Sequence, residues 1–279
     1  MFPTKTSMTP IDKDAYYDTP DLFTPQYDEA HISITFTWDI EKGRRIANAW
    51  DKHAKKIKVG GVAIDGETDQ PFQSGMYLKK GITITSRGCP NNCKFCQVRH
   101  SLIEFDNFPE GNIVQDNNIL ACSDRHWRLV LSMLKKQKAI EFKGGLEKYR
   151  ITPQVAEDLR GLRIKTLWLA CDSPNDIKPL ETAVRILHKA GFKREQIYCF
   201  VLIGHNLLEE NQRLEKCLNL FTYKDEEDNE RYMGVKPFAQ LFRDKYDRVR
   251  YSREYKQFAR KWSRPACYYH LKKDLVNVL

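Results

Sequence analysis

The stretch TSRGCPNNCKFCQVRH, residues 85–100, sets Cys89, Cys93 and Cys96 within eight residues and follows them with His100. The apolar run just before it, GITIT (81–85), has the length and composition of a short strand. The cysteines therefore fall at the C-terminal end of a strand, where parallel α/β folds place their sites. Their Cys-x3-Cys-x2-Cys spacing gathers three soft ligands without a fourth in step. Zinc sites pair two Cys with a second, more distant pair, and His100 as a fourth ligand would need a loop of only three residues folding back from Cys96. A ferredoxin-like cluster would need a fourth Cys, and none follows at a suitable spacing. Three thiolates on a four-iron cluster leave one iron without a protein ligand, which is the open position a catalytic metal site keeps.

Outward from this stretch the chain alternates strand and helix patterns. Strand-like runs recur at NIVQ (112–115), AIEFK (139–143), IKTLWLA (164–170), QIYCFVLIG (196–204) and GVKPFAQLF (234–242). Helical patterns at 124–137, 153–161, 177–190 (ending at Gly191) and 207–220 lie between them. Apolar strands separated by helix-length gaps predict βα units and a parallel sheet covered by helices. Six strands are expected from residue 81 onward.

Cys89-x3-Cys93-x-Phe95-Cys96, with its aromatic residue before the last Cys, resembles the cluster motif of the radical S-adenosylmethionine (radical SAM) enzymes. The lead-in TSRGCP resembles that of the methylthiotransferase, elongator-type and cobalamin-associated branch. The resemblance spans residues 80–245 and implies a partial (β/α)6 radical SAM barrel. It implies that Cys89, Cys93 and Cys96 hold a 4Fe-4S cluster whose fourth iron takes the amine and carboxylate of S-adenosylmethionine (SAM). One electron from an external reductant of flavodoxin or ferredoxin type then yields a 5′-deoxyadenosyl radical. By position in the family, Asp116, Asn117 and Asn118 are candidates for the SAM amine, although an Asx-turn also accounts for them. Gly144, Gly145 and Glu147 resemble the family's Gly-Gly-Glu element one strand late, although a plain turn accounts for them equally well. Asp172 and Ser173 are candidates for the SAM carboxylate or ribose, Gly204 for close approach of adenine, and Arg243 either for substrate or simply for pairing with Asp244. Val201 and Ile203 are expected to be core.

The departures are informative. Residues 97–112 are short and contain Pro and Gly, so the first helix is expected to be truncated. Cys122, Cys171, Cys199, Cys217 and Cys267 are scattered, which leaves no second cluster. Cys199 and Cys217 are expected to be buried small hydrophobes, and Cys171, at a strand end, is a candidate covalent or radical partner. Upstream, ISITFTW (32–38) predicts a strand, 40–56 a helix and IKVGG (57–61) a strand and turn. This small α/β unit resembles a remnant of a cobalamin-binding domain. The family's Asp-x-His-x-x-Gly loop is absent, His53 sits in a helical run, and no cobalamin is expected.

Charge divides the ends of the chain. Residues 1–30 hold two lysines against six acids, with four prolines, and predict an irregular acidic arm. Residues 236–279 hold twelve Lys/Arg against four acids, nearly all of the chain's formal excess of +9. Within that end, 251–265 predicts a helix stopped by Pro265, with Tyr251, Tyr255, Phe258 and Trp262 in one stripe. That stripe docks on the barrel if ordinary packing holds. Alternatively the helix, with Lys272 and Lys273, guides a nucleic acid to the open barrel end. The N-terminus carries no apolar leader, no run is long enough to span a bilayer, and eight cysteines without a disulfide pattern point to the cytoplasm.

The expected architecture is thus α/β, with an acidic arm (1–30), a small α/β appendage (31–80), the partial barrel (81–245) and a basic C-terminal helical segment (246–279). Two functions from different classes remain. One is a radical SAM enzyme of unknown substrate; the other is a non-catalytic iron-sulfur or zinc protein with a nucleic-acid-binding basic tail.

Overall fold

The computed structural model describes residues 1–61, 63–64, 75–98 and 101–268. His100, Lys272 and Lys273 lie outside the described residues. Residues 1–26 form no helix or strand, as the proline-rich arm predicts, but they are tied down. Met1 and Phe2 are buried, and the Ser33 N–H donates to the Met1 carbonyl at 2.8 Å. A βαβ unit follows: β1 (Tyr27–Ser33), α1 (Ile40–Trp50) and β2 (Ala54–Gly60), with β1 and β2 parallel. The first strand is shifted from the expected 32–38: it begins five residues earlier and ends at Ser33, and Thr37–Asp39 forms a 3-10 turn instead. Polar Asp28 and Glu29 belong to the strand through the parallel backbone register with β2, and Lys55 and Lys58 pair with their side chains at 2.7 and 2.5 Å. Ile32, Ile34, Ile46 and Trp50 form this unit's own apolar cluster.

From residue 81 come β3 (Gly81–Thr83), the two-residue ladder of β4 (Ser86–Arg87) with β5 (Ile103–Glu104), β6 (Gly111–Val114) and α2 (Asp124–Lys135). Then follow β7 (Ile140–Phe142), α3 (Pro153–Arg160), β8 (Ile164–Ala170), α4 (Ile177–Lys189), β9 (Ile197–Ile203) and α5 (Leu207–Leu218). An antiparallel hairpin, β10 (Phe221–Lys224) and β11 (Glu230–Met233), leads to β12 (Lys236–Leu241), α6 (Arg253–Trp262) and the short α7 (Pro265–Tyr268). Six strands form one sheet in the order β12-β9-β8-β7-β6-β3, with every pair parallel. Each of these strands lies beside its predecessor in the chain. Stepping in one direction with right-handed crossovers lays the connecting helices on one face of the sheet, whereas a doubly wound sheet reverses direction midway.

Burial follows that asymmetry. On β9, Ile197, Cys199, Val201 and Ile203 are fully buried, while Tyr198, Phe200 and Leu202 on the other face are half-buried. α4 buries Leu180, Ala183, Val184 and Leu187, an i, i+3, i+4, i+7 stripe; a Leu→Ala change at such a site costs about 2–5 kcal/mol. The first crossover is different. Among the described residues, no helix lies between β3 and β6, and the cysteine loop and the β4–β5 ladder fill the connection, in line with the expected truncation.

Candidate metal centre

The root of the cysteine loop is held by the end of β6. Asp116 Oδ1 accepts from the Thr85 N–H (3.0 Å), the Thr85 hydroxyl (2.9 Å), the Ser86 hydroxyl (2.6 Å) and the Ser86 N–H. The side chain is only 1% exposed, and burial pushes its carboxyl up from the ordinary value while those donors pull it down. Asn117 Oδ1 accepts from the Gly88 N–H at 3.1 Å, with Gly88 at φ +90°. Asp116 and Asn117 therefore staple the loop on either side of the turn that presents Cys89, and Asp116 has no surface on which a ligand can lie. Of the DNN trio, Asn118 is the one that reaches the cysteines.

Asn118 Nδ2 lies 3.3 Å from Cys89 Sγ and 2.7 Å from Glu147 Oε2. An ionised carboxylate only accepts, so the nitrogen must face Glu147. Asn118 Oδ1 is then a buried acceptor without a donor. Farther along the loop, the Cys96 N–H donates to the Cys93 carbonyl (2.9 Å) and the Val98 N–H to Cys96 Sγ (3.4 Å). Burial pushes the Cys93 thiol up, and the neighbouring Cys96, Cys89 and Asp172 push it further. The three sulfurs are not drawn into a closed shell: among the described residues, no three His, Cys, Asp or Glu side chains stand in a metal-holding arrangement. Cys93 and Cys96 are exposed, as is Phe95 between them.

The KGGLE turn has a defined shape at the end of β7. A Cβ on Gly144 would stand 2.0 Å from the Asp116 carbonyl oxygen, so only glycine lets these strand ends meet. Gly145, at φ +98°, turns the chain so that Leu146 buries itself and donates its N–H to the Trp168 carbonyl at 2.7 Å. Glu147 is thereby aimed at Asn118. Burial raises its carboxyl, but hydrogen bonds from Asn118, Asn91 and Arg150 outweigh this and hold it below the usual carboxylate range.

At the end of β8, Asp172 Oδ1 accepts from the Leu202 N–H (3.1 Å), and burial pushes this carboxyl up. The Ser173 hydroxyl and N–H, with the Asp172 N–H, donate to Asp176 Oδ2 at 2.9–3.1 Å. Ser173 is thus occupied in capping the turn into α4. Asp176 Oδ1 pairs with Lys148 Nζ at 2.8 Å in a half-closed setting, the side chains 14% and 10% exposed.

Gly204, expected to admit adenine, instead faces Tyr251, whose hydroxyl would stand 2.4 Å from an added Cβ and donates to the Phe242 carbonyl at 2.8 Å. Close approach is real at Gly204, but the chain's own ring makes it. Arg243 pairs loosely with Asp247 (3.9 Å) and lies over Trp38. Cys171 also departs from expectation: it is fully buried, and Cys217 and burial hold its thiol far above the ordinary value, so it offers no thiolate. Cys199 and Cys217 are core residues, as expected.

Sequence reasoning missed Lys148, Asp176 and Arg213. Arg213, buried on α5, donates to the carbonyls of Cys171 (2.7 Å) and Leu202 (2.9 Å) and clamps the ends of β8 and β9. Its i, i+4 spacing from Glu209, a 2.9 Å ion pair, was the available signal. On the sheet face without helices, Trp168 stacks on Tyr198 (4.7 Å) and Phe200 (4.4 Å) and meets Phe238 edge-on (5.7 Å). This aromatic floor begins at the residue whose carbonyl anchors the KGGLE turn. A cavity of about 550 Å³ near Tyr16, Trp50 and Tyr77 contains none of these residues.

No family model, curated protein or solved structure matches this chain.

Proposed function

We propose that the chain is a radical SAM enzyme whose Cys89, Cys93 and Cys96 hold a 4Fe-4S cluster at the mouth of a partial (β/α)6 barrel. One observation carries the reading. Three cysteines of one loop stand at the C-terminal ends of a sequentially ordered, all-parallel sheet. The donor set fits the group. Thiolates suit iron-sulfur clusters, and N–H donors to sulfur, here Asn118 to Cys89 and Val98 to Cys96, are among the protein's means of setting a cluster's potential. The buried, donorless Asn118 Oδ1 beside Glu147 fits a cationic amine, as SAM would bring. When bound, the cluster and SAM supply one-electron chemistry that ends in a 5′-deoxyadenosyl radical.

The chain's own residues do the positioning. Glu147, ionised, and Asn118 Oδ1 accept from the SAM amine. Asp116 and Asn117 fix the loop root, and Gly144 and Gly145 shape the wall that carries Glu147. Asp172 and Ser173 shape the same mouth from the end of β8, Asp172 by holding the Leu202 N–H and Ser173 by capping the turn into α4. The aromatic floor of Trp168, Phe200 and Phe238 keeps water from the reacting centre. The electron comes from a flavodoxin- or ferredoxin-type reductant at the exposed side of Cys93 and Cys96. Eight free thiols fit the reducing cytoplasm. Among the described residues, no helix is long and apolar enough to cross a membrane.

Anaerobic reconstitution with iron and sulfide tests the ligands. The wild type should hold about four irons per chain. Cys89→Ala, Cys93→Ala and Cys96→Ala should each lose the cluster absorbance, and Cys217→Ala should keep it. Zinc as the bound metal, removed as completely by His100→Ala as by Cys96→Ala, overturns the reading.

A further inference from the structure

We infer that residues 243–264 form a docking strip for the phosphate backbone of a nucleic acid, laid beside the cysteine loop. The segment holds nine Lys and Arg against Asp244, Asp247 and Glu254, two-thirds of the whole chain's formal excess in 22 residues. All nine cations are exposed, and among the described residues only Arg243 has a carboxylate within 4 Å. Cations left unpaired at this density repel one another, and a polyanion relieves that repulsion by releasing its own counterions.

The packing of α6 explains why the charge points outward. Trp262 is fully buried, Ala259 nearly so, and Phe258 joins the main core, while the Ser263 hydroxyl reaches the Ala239 carbonyl on β12. The aromatic stripe is spent on docking the helix. Arg253, Lys256 and Arg260, at i, i+3 and i+7, remain as one exposed ridge with cations about 4.5 and 6 Å apart along the axis. A helix that seeks a lipid surface keeps an apolar face free, and α6 has none left. The one large apolar side chain exposed in the strip is Tyr246, with the Arg248 guanidinium 4.5 Å from its ring centre. Open rings interleaved with cations suit a strand of bases and phosphates.

Placement gives the strip its purpose. Gln97, the residue after Cys96, donates its side-chain amide to the Arg243 carbonyl at 3.0 Å. The strip therefore starts where the cysteine loop ends, so a bound strand would run past the mouth of the site. The consequence for chemistry rests on the proposed function; the binding does not.

The test uses the full chain and fluorescence anisotropy with labelled 20-nucleotide single-stranded RNA and DNA across a salt series. About five phosphate contacts predict a log–log salt slope near −3.5, a loss of about a hundredfold in affinity between 50 and 200 mM salt. Arg253→Glu/Lys256→Glu/Arg260→Glu should weaken binding and flatten the slope. Lys178→Glu/Lys189→Glu/Lys193→Glu, with the same change in net charge elsewhere, should bind nearly as the wild type does. Circular dichroism and melting check that both triples fold, and Arg248→Gln/Arg250→Gln, in the loop before α6, should weaken binding in its own right. No binding at 50 mM salt overturns the inference. So does equal loss in the two triples, or a polyglutamate peptide bound with the same affinity and slope. Iron content and SAM cleavage are measured on the same variants and should be unchanged, so the strip and the cofactor reading can fail separately.

Discussion

Asn118 Nδ2 donates to Glu147 Oε2 across 2.7 Å, joining the end of β6 to the end of β7. The same nitrogen lies 3.3 Å from Cys89 Sγ, so one amide orients the carboxylate and touches the sulfur. The pair is preorganised: its donor is committed, and its remaining acceptor, Asn118 Oδ1, is buried and open to an incoming N–H.

Asn118→Ala should therefore leave all three cysteine ligands and the iron content in place while weakening SAM. Hydrogen bonds to charged groups are worth about 1.5–3 kcal/mol, which corresponds to roughly a ten- to hundredfold loss of affinity. Equilibrium titration of the reconstituted protein measures it. Unchanged affinity would remove the Asn118–Glu147 pair from the amine site.

Lys148 and Asp176 give a pH signature. Burial raises the Asp176 carboxyl, but Lys148 and the backbone N–H groups of Ser173 and Asp172 hold it below its ordinary value. Its contribution to stability is complete above the unfolded value of about 3.9 and is lost as pH falls through the lowered one. Burial disfavours the Lys148 ammonium, and Asp176 more than offsets that, so its pKa is raised. That contribution is complete below about 10.4 and is lost as pH rises through the raised value. Asp176→Asn leaves a largely buried ammonium unpaired and should cost about 3 kcal/mol or more at neutral pH. In chemical denaturation, the difference between wild type and variant should be flat from about pH 5 to 9 and shrink in acid. A difference that grows in acid would contradict the assignment.

The two glycines of KGGLE should separate by mechanism. Gly144→Ala drives a Cβ into the Asp116 carbonyl and should cost about 3 kcal/mol or more, loosening the root of the cysteine loop. Gly145→Ala makes only an ordinary van der Waals contact, with the Trp168 carbonyl oxygen at 4.0 Å, and bears the strain of φ +98°, about 1–3 kcal/mol. Melting of the two variants gives the order, and a less stable Gly145→Ala would be the wrong one.

The sheet was largely legible because its strands are apolar runs separated by amphipathic helices, and IKTLWLA (164–170) is β8 to the residue. The β10–β11 hairpin was not: its polar KDEEDNE turn hides two four-residue strands that pair only with each other. At the end of β7, the turn at Gly144 and Gly145 was legible because paired glycines permit a positive φ and a close backbone approach that other residues do not. The division of labour within DNN was not, since three short polar side chains look alike until Asp116 is found beneath Thr85 and Ser86. Lys148 and Asp176 are 28 residues apart in the chain, and no local pattern announces a pair formed across two strand ends.

The central claim is tested most directly by giving the anaerobically reconstituted chain SAM and a low-potential reductant and assaying for 5′-deoxyadenosine and methionine. The account predicts that both products form with the wild type and with Cys217→Ala, and that neither forms with Cys96→Ala. A chain that holds its four irons and binds SAM yet leaves it intact under reduction would contradict it.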